Sequence, residues 1–144
     1  MSALQSMSAL SDRTPPSGDM TPETAVRPPV ALWVRICHVD DLERERGRAA
    51  LVDGEQVALF RTHEDRIHAV QQWDPYSGAH VISRGIVGTR GDIPTVASPM
   101  YKQVFDLRTG VCLETQGKDA HTLRVWPVAV DANGDVFLRW KADA

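Results

Sequence analysis

The stretch Ala49-Ala50-Leu51-Val52-Asp53-Gly54-Glu55-Gln56-Val57-Ala58-Leu59-Phe60 decides the fold class. Two short apolar runs, Ala49 to Val52 and Gln56 to Phe60, flank Asp53-Gly54. Asp-Gly favours the type I′ turn, whose twist matches that of paired strands and whose central positions need positive φ. The stretch therefore reads as a β-hairpin, and the same texture continues on both sides. Upstream, Leu32 to Cys37 reads as an opening strand and His38 to Glu43 as a connecting turn. Glu43 to Arg48, with alternating Arg and Glu, reads as a solvated charged loop. Downstream, His63-Glu64-Asp65 turns the chain into Ile67 to Val70. Alternation there puts Ile67 and Ala69 on one face, His68 and Val70 on the other. Gln103 to Leu107 is a strand that Arg108-Thr109-Gly110 turns into Val111 to Leu113. Leu123 to Val130 is a strand interrupted by Pro127, whose missing N–H suits an edge or a bulge. Asp131 to Gly134 turns into Val136 to Trp140. Many short strands with turns at this spacing predict an all-β fold, an antiparallel sandwich or barrel.

Residues 1–29 differ in texture. They are rich in Ser, Thr and Pro, with Pro15-Pro16 and Pro28-Pro29, and hold no aromatic residue. Such a stretch buries too little apolar surface to offset its ordering entropy. The expected organisation is a disordered tail over 1–29 and one domain over 30–141. The whole chain of 144 residues has 16 Lys and Arg against 19 Asp and Glu, a net charge of −3. That balance offers no electrostatic attraction for nucleic acid or an anionic membrane surface. No apolar run is long enough to span a bilayer, and the first residues lack a basic segment followed by an apolar one. A cytoplasmic location is the expectation.

Few residue patterns carry chemistry. The histidines at 38, 63, 68, 80 and 121 form no ligand pair at helical or finger spacing. His63 and His68 flank a turn and read as solvated. Cys37 and Cys112 are too far apart in sequence for a zinc motif and read as small hydrophobes in strands. No Gly-x-Ser-x-Gly elbow and no Gly-rich phosphate loop is present. What remains is a pair of loops: Gln72-Trp73-Asp74-Pro75-Tyr76-Ser77-Gly78-Ala79 and Ser98-Pro99-Met100-Tyr101-Lys102-Gln103-Val104-Phe105.

With their surroundings, these loops resemble a known family. Trp33 with Ile36-Cys37, Gln56 to Arg61, Asp74 to Ala79, Ser83-Arg84-Gly85-Ile86-Val87-Gly88, Val96 to Phe105 and Leu107 to Gly110 carry the match. The chain is similar, from about Leu32 to Trp140, to the Rieske-like small subunits of assimilatory NAD(P)H-dependent nitrite reductases. The resemblance implies a Rieske-like β fold. It also implies a non-catalytic role beside a large subunit that holds FAD, a [4Fe–4S] cluster and sirohaem, reducing nitrite to ammonium. No cofactor is expected in this chain.

A Rieske [2Fe–2S] centre takes Cys-x-His from one loop and Cys-x-x-His from the other. The resemblance places Asp74, Tyr76, Ser98 and Tyr101 at those four positions. Four hard oxygen donors in place of two thiolates and two imidazoles make a poor cluster site. No metal is expected there. The loops then either close the fold at their tips or form a docking surface from Trp73, Pro75, Tyr76, Met100, Tyr101 and Lys102, the residue types enriched at interfaces. Two other readings stand beside this one: a Rieske-type [2Fe–2S] electron-transfer protein, and a free-standing Rieske-like protein-binding module.

Overall fold

The computed structural model describes residues 32–140. The tail expected over 1–29 lies outside them, as do the first and last residues of the domain expected over 30–141. In chain order the strands are β1 (Trp33–His38), β2 (Arg46–Val52), β3 (Glu55–Arg61), β4 (Ile67–Gln71), β5 (Trp73–Asp74), β6 (Ala79–His80) and β7 (Ile86–Arg90). They continue with β8 (Ile93–Ala97), β9 (Val104–Asp106), β10 (Cys112–Glu114), β11 (Val125–Trp126), β12 (Val128–Val130) and β13 (Asp135–Arg139). The fold is all-β, and every strand pair is antiparallel. Among the described residues no helix is long and apolar enough to cross a membrane.

Three sheets carry the domain, ordered β1-β13-β12, β11-β4-β3-β2 and β10-β9-β8-β7, with β5 and β6 as a separate small ribbon. The hairpin around Asp53-Gly54 forms as expected. Asp53 and Gly54 both have positive φ, 52° and 81°, and β2 and β3 pair in continuous register from Val52–Glu55 to Arg46–Arg61. The sheet holding β3 and β4 is packed on both faces. Val57, Leu59 and Ala69 meet Leu42, Trp126, Leu138 and Trp140 on one side. Ala58, Phe60 and Val70 meet Ile82, Val96, Phe105 and Leu107 on the other. This explains why Val57 to Phe60 is uninterrupted apolar sequence: over these four residues neither face of β3 sees water. Full burial of each large side chain contributes about 1.5–3 kcal/mol.

Three expectations need correction. Glu43 to Arg48 is not all loop, because β2 begins at Arg46 and pairs with the end of β3. Its Arg46 and Arg48 side chains stay exposed, which is why composition there imitates a loop. Gly47 sits between them where a Cβ would strike the Ser83 carbonyl and the Phe60 ring. Pro127 does more than mark an edge. It separates β11, paired with β4, from β12, paired with β13, so the chain changes sheets at the proline.

His68 is half-buried rather than freely solvated. Its face of β4 looks toward the second core, and its Nε2 is walled off from solvent without a hydrogen-bond partner. It lines an open cleft of about 770 Å³ at the ends of β4 and β8 that lie away from the paired loops. Its neighbour across the turn, His63, is exposed as expected.

Burial depresses the His68 pKa below its ordinary 6.5; Arg66 and Arg108 add to this, while Asp106 opposes it. The unfolded chain therefore binds this proton more readily than the folded one. Stability from this group is complete above its ordinary pKa and is lost as pH falls below it. Urea unfolding from pH 7.5 to 5 will show a flatter pH dependence in His68→Gln than in the parent chain.

Candidate functional site: the paired loops

β4 runs into the first loop and β8 into the second, so two stacked sheets deliver the loops to the same end of the domain. The first loop is more regular than its sequence suggests. Trp73 and Asp74 pair with His80 and Ala79, and residues 75–78 form the turn. Asp74 is fully buried and organises this turn. Its carbonyl accepts from the Gly78 N–H at 2.8 Å. Its Oδ1 accepts from the Tyr76 N–H at 2.9 Å, and its Oδ2 accepts from the Ser77 hydroxyl at 3.0 Å. An Asp that captures the N–H two residues on is the ordinary device of an Asx turn. Gly78, with φ of 71°, closes the turn beneath the Trp73 indole.

The same carboxylate reaches the second loop. Ser98, also fully buried, donates its hydroxyl hydrogen to Asp74 Oδ2 at 2.6 Å. Ser98 in turn accepts from the Met100 N–H at 3.2 Å, and its backbone closes the loop through Lys102 and Gln103. Lys102 turns the chain with φ of 65°. Gln72 fixes the far side of the first loop by exchanging two hydrogen bonds with Ser83, at 2.9 and 2.7 Å. Residues 115–121 tie both loops down: Gln116 donates to the Lys102 carbonyl, and Gln103 to the Thr115 carbonyl.

The two tyrosines have different surroundings. Tyr76 leans on Phe105 and His121, and its hydroxyl donates to the Asp119 carbonyl at 2.7 Å while accepting from the His121 N–H at 2.9 Å. Cys112 Sγ lies 3.6 Å from the same oxygen. Burial pushes the Tyr76 phenol above its usual range, and the Cys112 contact adds to the shift. Tyr101 is 56% exposed and its hydroxyl has no hydrogen bond among the described residues. Trp73 and Met100 are also exposed, Trp73 packed edge-on against His80, and Lys102 projects beside them; Pro75 is half-buried. Trp73, Met100, Tyr101 and Lys102 thus form the exposed part of the tips, and Asp74, Ser98 and Tyr76 the part beneath.

These residues do not fit a [2Fe–2S] centre. Asp74 and Ser98 are bonded to each other, so their oxygens occupy the space between the loops. The Tyr76 oxygen is engaged on three sides and held in its neutral form. No group of three or more His, Cys, Asp and Glu is placed to hold a metal ion among the described residues. Cys37 and Cys112 are free thiols, half-buried in strands, and Cys37 packs on the other core. The Asp74-x-x-Ser77 turn could be read from local sequence. The Asp74–Ser98 bond and the clamps from Ser83, Thr115 and Gln116 had no local signal.

An antiparallel β domain with paired loops at one end defines a class, the Rieske-like domains. The profile of the Rieske-like [2Fe-2S] domain family matches residues 32–139. The NMR structure of the Escherichia coli protein NirD superposes with a TM-score of 0.68 at 35% identity, covering 78% of this chain and 100% of that one. The nitrite reductase (NADH) small subunit of Salmonella typhimurium is 42% identical over 85 residues, which take in 58% of this chain and 79% of that one. Part of the nitrite reductase (NAD(P)H) large subunit of Klebsiella oxytoca is 39% identical over 106 residues, 74% of this chain but 11% of that much longer one. The chain belongs to the family of Rieske-like nitrite reductase small subunits.

Two measurements test the site. Protein purified without reconstitution will contain no stoichiometric iron or acid-labile sulfide. Tyr76→Phe, which removes both hydrogen bonds of the hydroxyl, will lower stability by about 1 kcal/mol in urea titration.

Proposed function

We propose that the chain is the non-catalytic small subunit of a cytoplasmic NAD(P)H-dependent nitrite reductase, which reduces nitrite to ammonium in nitrate assimilation. The observation that carries this reading is the 42% identity to the Salmonella small subunit across 79% of its length. FAD, a [4Fe–4S] cluster and sirohaem belong in this reading to the large subunit. The Klebsiella match supports a close association: there, a domain like this one lies in the same polypeptide as the large subunit.

The contribution of the chain is to stabilise, position or regulate that partner. Neither nucleic acid nor a membrane is a partner in this reading. The contact surface is the loop tips, with Trp73, Pro75, Tyr76, Met100, Tyr101 and Lys102. Exposed aromatic and Met side chains grouped on one rigid end supply the large contact area that binding hot spots use. Tyr76 would act from beneath, by holding the tip in shape.

Tagged chain expressed at its native level will co-purify with a sirohaem flavoprotein, and deletion of its gene will impair growth on nitrate. Trp73→Ala and Tyr101→Ala will each weaken the complex by about tenfold or more while leaving the circular dichroism spectrum unchanged. Recovery of the chain alone, with normal growth of the deletion strain, would contradict the reading.

A further inference from the structure

In a Rieske centre the cluster links its two loops through their ligands. Here the two positions that the family resemblance gives to thiolates are Asp74 and Ser98. They are joined directly by a hydrogen bond of 2.6 Å between fully buried side chains. Asp74 also holds the backbone of its own loop, and Ser98 that of the other. One carboxylate therefore controls the geometry of both tips. We propose that the Asp74–Ser98 hydrogen bond takes over the cross-linking task of a cluster and pre-organises the tips for docking of the nitrite reductase large subunit. This rests on the small-subunit reading.

The physical reason is ordering cost. Trp73 stands on one loop, Met100 and Tyr101 on the other. Separate loops would have to be immobilised at the moment of binding, with a cost for each ordered side chain. A lock made in the free chain removes that cost beforehand. The bond suits the task because it is buried and charge-assisted, so water does not compete with it. No cation forms an ion pair with Asp74 among the described residues, so hydroxyl and N–H donors alone satisfy it. The large subunit is the occupant because the Klebsiella polypeptide combines a domain like this one with that subunit. Asp74 and Ser98 are then positioning residues, acting on the partner only through the tips.

The test uses the full chain and the purified large subunit. Ser98→Ala deletes the inter-loop bond. Its Kd for the large subunit should rise about tenfold. Amide hydrogen exchange should quicken at residues 74–78 and 98–103 and stay unchanged in β3 and β4. If Ser98→Ala does not fold, Asp74→Asn replaces it. That variant keeps the shape but makes a neutral, weaker bond, and its Kd should rise by a few-fold with the same exchange pattern. Faster loop exchange with an unchanged Kd overturns the proposal and leaves the small-subunit reading intact. Unchanged loop exchange in the folded variant also overturns it. A parent chain that pairs with a second copy of itself, and fails to bind the large subunit, overturns both.

Discussion

The burial of β3 and β4 on both faces is the constraint from which the rest of the domain follows. A sheet with one wet face needs a single covering layer; this one needs two. Val57, Leu59 and Ala69 require the layer of β1, β12 and β13, while Ala58, Phe60 and Val70 require that of β7 to β10. The chain meets both demands by changing sheets at sharp points. Pro127 is one of them, where a residue without an N–H ends one ladder and lets the next begin. Gly110 is another. Its φ of 80°, and the Leu123 carbonyl where a Cβ would stand, leave no room for a side chain.

The paired loops inherit their rigidity from this arrangement. They leave from β4 and β8, strands on opposite sides of the same core, so their bases cannot drift apart without opening Phe60, Val96 and Phe105 to water. A buried carboxylate at the meeting point is tolerable because its donors come from both loops. Geometry that in a Rieske centre serves ligation serves here to satisfy Asp74. The frame persists with a different chemistry inside it, which is how one fold comes to host unrelated roles.

Legibility in the sequence followed the range of the interaction. The hairpin at Asp53-Gly54 was legible because turn chemistry is local. The antiparallel all-β class was legible because many such local signals agree. Arg46 to Arg48 reads as loop because an edge strand with exposed arginines has the composition of a loop. His68 reads as solvated in sequence because the residues that half-bury it, such as Val87, Pro94 and Arg108, lie far along the chain. At the loops, sequence singled out Asp74, Tyr76, Ser98 and Tyr101 as a group. It could not separate them into a buried pair, a strut and an exposed ring.

By itself, then, the sequence determined the fold class, the turn positions and, through the motifs around Asp74 and Ser98, the family. Those are properties of neighbouring residues, and backbone preference and side-chain alternation express them directly. Only the tertiary structure decided that β3 is covered twice, that Tyr76 faces inward while Tyr101 faces out, and that the carboxylate of one loop meets the hydroxyl of the other. Asp74 and Ser98 are 24 residues apart in sequence. No local preference can bring them together; the packing of two sheets around a shared core does.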